Sequence, residues 1–319
     1  MNILQKILFG ASCLLLLASC AKEEQLVTDG QDVLITLATG TRAGEEAGDL
    51  EDREMNSLRI LGYRSSDGQL TFNEEIAIPS GSESYNGTVT MKTGKYTVVI
   101  IANEGTLSTT LGDDALISTI GDLRSLYFEI GAFNETDAIP MVTVKEDIVI
   151  QGDDLLIDAG TTYTTEWPVE MERLGIRVDV TLNLSDIQRE DWQIDNGKIY
   201  FGNIPDKVYL FPGIANAPGT STRSYTMLDY TDDSKTQFTS PRIILPEVYA
   251  AGLSQSGALT LSVLAPTELK SAISADNGAS YILSRNTRLG LTATIGETSL
   301  TFVVNVIDWE DENMNHVLQ

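Results

Sequence analysis

Leu174-Gly-Ile-Arg-Val-Asp-Val-Thr-Leu-Asn-Leu184 alternates apolar and polar side chains along its length. Ile176, Val178, Val180, Leu182 and Leu184 fall on one face, and a period of two is the signature of a strand with one face in a core. Outward from it the same habit recurs in short pieces. Downstream lie Lys198 to Phe201, Val208 to Phe211, Arg242 to Leu245, Leu259 to Leu264, Tyr281-Ile282, Arg288 to Ile295 and Leu300 to Ile307, the last ending at Trp309, with Gly296-Glu297 as a turn. Upstream, Tyr96-Thr-Val-Val-Ile-Ile-Ala102 is almost wholly apolar and predicts a central strand buried on both faces. Leu58 to Tyr63 runs into Ser65-Ser-Asp-Gly68, which carries the Asp-Gly hairpin signal. Thr88 to Met91, Met141 to Ile150 and Thr161 to Thr165 read as extended, and Ser108 to Leu126 as helical or irregular. Many short strands with turn signals predict a mainly β fold of sandwiches. Pro168 interrupts pairing, so Trp167-Pro168 is the expected boundary between two sandwiches.

The composition narrows the function. With 319 residues the chain is long enough for two domains. A net charge of -25 offers no basic footprint for phosphates and argues against nucleic acid as a partner. The single histidine, His316, lies near the C-terminus, which leaves no Ser-His-Asp triad, no Cys-His pair and no His-rich zinc site in the body. The pairs Asp113-Asp114, Asp153-Asp154 and Asp232-Asp233 have no EF-hand spacing and read as solvated loop charges. No metal, cofactor or catalytic group is expected, and the protein is not read as an enzyme. A glycosidase would need a selected carboxylate pair, and nothing selects one.

The N-terminus adds an export signal. Met1 to Lys6 is short and basic, Ile7 to Leu17 is apolar, and Leu17-Ala-Ser-Cys20 follows. The apolar run is too short to span a bilayer, which takes about 20 residues. The Leu-Ala-Ser-Cys ending resembles the lipobox of bacterial lipoproteins, which makes Cys20 the lipidated first residue of the mature chain. With Cys13 in the signal and Cys20 carrying lipid, the protein folds without disulfides. Asp32 to Thr39 then alternates, Val33, Ile35 and Leu37 on one face, and gives way to the small, acidic stretch Thr41 to Asp49, which reads as an exposed, cleavable loop.

The chain resembles the FimA/Mfa1-type fimbrillins, the subunits of lipoprotein-derived (type V) pili of Bacteroidetes. The likeness is carried by the lipobox at Leu17 to Cys20, and by the early strand with Arg42-Ala43, an acidic linker and Leu58 to Tyr63. It continues through Gly94 to Asn103 with Ile139-Pro-Met141 and Met171 to Leu174, and the final apolar strand closing on Trp309. The resemblance implies two tandem transthyretin-like β-sandwich domains after a lipoprotein signal peptide: signal 1–19, lipidated propeptide with the first strand 20–42, N-terminal sandwich 43–167 and C-terminal sandwich 168–319. It also implies a structural subunit of a surface fimbria. Its lipidated (palmitate-bearing) precursor goes to the outer membrane, an arginine-specific protease cuts at Arg42-Ala43, and Val33, Ile35 and Leu37 leave a groove that another subunit's strand fills. The tail after Trp309 is short and mostly polar, with Met314, Val317 and Leu318 as its only apolar donors. Arg53 is the alternative cut, though Asp52 and Glu54 flank it. The competing reading is a permanently lipid-anchored surface adhesin or glycan-binding protein, with Tyr225, Tyr230 and Trp192 as a platform for a host or bacterial ligand.

Overall fold

A computed structural model describes residues 30–41, 52–152, 155–184, 197–214, 219–232, 234–250, 252–265, 267–275, 280–295 and 299–308. The first half contains β1 (Asp32–Thr41), β2 (Leu58–Arg64), β3 (Leu70–Ile76), β4 (Ser84–Lys92), β5 (Gly94–Ala102), β6 (Tyr127–Glu129), β7 (Met141–Gln151), β8 (Leu155–Asp158), β9 (Thr161–Tyr163) and β10 (Trp167–Arg173). The second contains β11 (Gly175–Asn183), β12 (Lys198–Ile204), β13 (Lys207–Tyr209), β14 (Ser221–Thr226), β15 (Gln237–Thr239) and β16 (Ile243–Pro246). It ends with β17 (Thr260–Ala265), β18 (Thr267–Ala272), β19 (Thr287–Ile295) and β20 (Leu300–Asp308). The predicted mainly β class is borne out. Within 108–126 the chain forms one short 3-10 turn (Asp114–Ile117) and one five-residue helix, α1 (Ile120–Arg124), opened by a capping box between Thr119 and Asp122.

The first half is one curled sheet in the order β3-β2-β5-β7-β10-β1-β4, with β8 and β9 attached to β7. Its ends meet: the Glu74 carboxylate on β3 accepts a hydrogen bond from the Thr90 N–H on β4 at 2.9 Å. The curl encloses a core of Leu58, Ile60, Val98, Ile100, Met91 and Trp167, among others. Strand β5 is central and buried on both faces, as its continuous apolar sequence predicts. Val98 and Ile100 enter this core, while Val99 and Ile101 enter a second one with Phe128, Phe133, Leu174 and Ile244. The Asp-Gly hairpin joins β2 to β3, with Gly68 at φ 68°. Left-handed backbone of that kind is what glycine tolerates without strain.

In the second half, β15-β11-β19-β20, with β16 also on β11, forms one sheet, and β14-β12-β17-β18 the other. Ile176, Val178, Val180, Leu182 and Leu184 all point into the core that includes residues of both. The expected boundary at Trp167-Pro168 does not coincide with the change of sheet. Strand β10 continues through Pro168 to Arg173, and β11 starts at Gly175. Pro168 is tolerated because β10 is paired there with β1, through Ala38, and meets β7 only at Glu172 and Arg173. The lost N–H therefore removes no bond on the β7 side. Tyr281-Ile282 is not a strand; an isolated bridge joins Val248 to Leu283 instead.

The halves are stitched together. Strand β6 pairs with β13, Val208 opposite Phe128, and the Lys207 ammonium lies 3.9 Å from the centre of the Tyr127 ring. Leu174, Val208, Leu210 and Ile244 from the second half share one core with Leu61, Val99 and Phe128 from the first. Arg285 ties the same place down, donating to the Leu210 carbonyl at 2.9 Å and the Tyr209 carbonyl at 3.0 Å while paired with the buried Glu247.

Candidate functional site: the first strand and its slot

Strand β1 is not an edge. It lies between β10 and β4, parallel to the first and antiparallel to the second. The antiparallel ladder runs from Asp32 opposite Lys92 to Gly40 opposite Ser84, and the parallel ladder from Leu37 opposite Trp167 to Thr41 opposite Met171. The alternation read from the sequence is realised. Ile35 is 3% exposed and Leu37 fully buried, Val33 packs half-buried against the same core, and Leu34 points outward. Burying side chains of this kind stabilises by roughly 1.5–3 kcal/mol each.

The walls of the slot are apolar. Trp167, Val169 and Met171 come from β10, and Val89 and Met91 from β4, all buried. The Trp167 indole N–H is satisfied by the Asp158 carboxylate at 3.0 Å, so this large ring is fixed beside Leu37 without an unpaired donor. Beyond the ladder, β1 is fastened at one end by Asp32 with Lys92 at 2.6 Å. Near the other end Asn86, just before Gly87 on β4, reaches across to Glu166, just before β10, at 2.8 Å.

Chain leaving β1 re-enters the described structure at Asp52, which is held firmly. The residue is 3% exposed, and its carboxylate accepts from Arg177 Nη1 at 2.6 Å and Arg242 Nε at 2.7 Å. Its backbone carbonyl accepts from Arg173 Nε at 2.7 Å. Burial pulls the Arg177 pKa down, but the Asp179 and Asp52 carboxylates more than offset this and hold it above its ordinary value. The arginine therefore stays charged. The next residue, Arg53, is mostly buried and pairs with Glu83 at 3.6 Å, and Met55 is fully buried. No local pattern in the sequence marks this cluster, because Arg173, Arg177 and Arg242 lie far along the chain from Asp52.

Of the residues singled out from sequence, Val33, Ile35 and Leu37 are brought together in the slot. Cys20, Arg42, Ala43, Met314, Val317, Leu318, Trp192 and Trp309 lie outside the described residues. The aromatic platform is not formed: Tyr225 is 4% exposed and meets Phe201 edge-on in the core at 5.9 Å, and Tyr230 packs half-buried on Phe238 at 5.1 Å. Asp113 caps a 3-10 turn through the Ala115 N–H, and Asp114 accepts from Asn73 at 2.7 Å.

Residues 32–173 match the family model of the major fimbrial subunit protein, FimA. The match begins on the first residue of β1 and ends on the last of β10. No curated protein matches the chain. Among solved structures, the chain is similar to the tip fimbrial protein Mfa3 from Porphyromonas gingivalis with a C-terminal truncation. That comparison gives 17% identity and a TM-score of 0.61, covering 87% of this chain and 100% of the other. It is similar to a fimbrilin (FimA) from Porphyromonas gingivalis W83 at 13% identity and a TM-score of 0.58, covering 88% and 98%. A fimbrial assembly protein from Parabacteroides distasonis ATCC 8503 gives 10% identity and a TM-score of 0.55, covering 88% and 98%. At such identities the likeness is one of fold.

Proposed function

We propose, from the match of residues 32–173 to the family model of the major fimbrial subunit protein, FimA, that the protein is a structural fimbrial subunit assembled by replacing β1 with another subunit's strand. The precursor is exported as a lipoprotein anchored through Cys20 to the outer membrane, and a cut at Arg42-Ala43 separates the anchor and β1 from the rest. The two halves are read as tandem transthyretin-like sandwiches, and the released subunit joins other copies or related pilins on the cell surface. Residues 314–319, through Met314, Val317 and Leu318, are its own modest donor segment. No enzymatic step belongs to this reading.

The observation that carries it is the place of β1. A strand inserted between two others, buried through Ile35 and Leu37 and followed directly by the Arg42 segment, leaves a slot with two unpaired ladders when it departs. An incoming strand satisfies the backbone and the core together. Asp52, on the far side of the cut, is pinned to Arg177 and Arg242. Cutting at Arg42 would thus free the upstream piece and leave the downstream piece in place.

Digestion of the unlipidated precursor with an arginine-specific protease tests this. The expected result is one cut after Arg42 and denaturant-resistant ladders. Arg42→Ala abolishes both, while Arg53→Ala changes neither, since Arg53 is paired and mostly buried. A stable, uncut monomer would sink the proposal in favour of a permanently anchored surface protein.

A further inference from the structure

Strand β1 has a fourth inward position, Thr39, and it fits its surroundings poorly. Thr39 is 4% exposed, and its hydroxyl has no hydrogen-bond partner among the described residues. Across the ladders it faces Val169, which is buried, and Tyr85, which packs against the core. The position before it on the same face is Leu37. These neighbours present apolar surface apart from the Tyr85 hydroxyl, which is turned toward Gly87 and donates to the Thr88 carbonyl, so the Thr39 hydroxyl has given up water without replacement. Such a group costs stability in a way that an apolar group of the same shape does not.

We infer that Thr39 makes β1 a deliberately weak placeholder, and that the slot is built for a strand carrying a β-branched aliphatic residue at this position. This deepens the reading of β1 as a replaceable strand and rests on it. The occupant is an extended segment of another fimbrial subunit with aliphatic side chains at three successive alternate positions, matching Ile35, Leu37 and Thr39. Residues 314–319 of this chain do not supply that pattern: one face would present Met314, His316 and Leu318, the other Asn315, Val317 and Gln319. The better strand therefore comes from a different kind of subunit. Valine in place of threonine keeps the branched shape and sets a methyl group where the unpaired hydroxyl stands, so the gain comes from matching the pocket's polarity.

The test uses the full-length, unlipidated precursor cut after Arg42, with labelled peptides of residues 31–41 as probes. Three carry the native sequence, Thr39→Val and Thr39→Ser, and a fourth copies residues 311–319. The Thr39→Val peptide should displace the resident strand at about one tenth the concentration of the native peptide or less, where tenfold corresponds to about 1.4 kcal/mol. Thr39→Ser should be weaker than native, having lost the methyl group, and the 311–319 peptide weakest. A Thr39→Val peptide no better than native overturns the inference, and a 311–319 peptide that matches Thr39→Val overturns the assignment of the partner. The uncut precursor carrying Thr39→Val separates this from the underlying reading. Its unfolding midpoint should rise by a few degrees. If it rises but no peptide enters, strand replacement is what fails; if it does not rise, the pocket is not apolar and the inference fails by itself.

Discussion

Replacing Asp52 with alanine is expected to lower the stability of the uncut precursor by about 3–5 kcal/mol, because it removes the buried carboxylate that two buried arginines share. Arg177 and Arg242 are each less than a tenth exposed at the side chain, and both bond to Asp52 at under 3 Å. Asp179 retains one claim on Arg177, at 3.0 Å, so the loss falls more heavily on Arg242. Among the described residues the latter would keep only backbone carbonyls, Glu135 at 2.9 Å and Asn134 at 3.3 Å. Equilibrium unfolding in urea reads the effect as a shift of the midpoint. A change below about 1 kcal/mol would mean that the cluster behaves like a surface pair, whose worth has that order. Asp52→Asn, which keeps the shape and one acceptor oxygen, should cost less than Asp52→Ala.

The second large effect concerns Leu37. Leu37→Ala should destabilise the precursor by about 2–5 kcal/mol, through lost transfer energy and the cavity left beside Trp167. The same substitution should have no effect on the stability of assembled, processed material, because β1 is gone from it under the proposed route. Unfolding of the precursor and dissociation of the ladders would be measured side by side. Equal losses in both would mean that β1 stays in the fibre, which contradicts strand replacement. Greater loss in the precursor alone also predicts faster assembly after cutting, since a weaker resident strand leaves more readily.

The parts of this fold that were legible in the sequence are those where one strand reports its own surroundings. Strand β11 alternates because one face meets a core, and β5 is apolar throughout because it separates two cores. Strands β14 (Ser221–Thr226) and β18 (Thr267–Ala272) carry no such mark, for a related reason. Both end their sheet and carry mostly polar side chains, so no hydrophobic period marks them. Proline reads as a break in pairing, yet β10 runs through Pro168 because its pairing there lies on the β1 side. Half of the candidate site was readable. The alternation of Val33, Ile35 and Leu37 is local, whereas their insertion between β10 and β4 depends on contacts far along the chain. Thr39 shows the limit most plainly: the period marks it as inward, but only the packing shows that its hydroxyl has nothing to bond.

The slot is also not symmetrical end for end. One wall runs parallel to β1 and the other antiparallel, and these two ladders space and slant their hydrogen bonds differently. A strand entering backwards would meet the wrong pattern on both sides at once. Under strand replacement, each joint would then be heterologous, joining two different surfaces in one fixed sense, and such joints propagate as open filaments when the rotation does not close a ring. The filament would have polarity, with a free slot at one terminus and a free donor at the other. A copy that never lost its own β1 would present a filled slot, and it could only be the last member at that terminus.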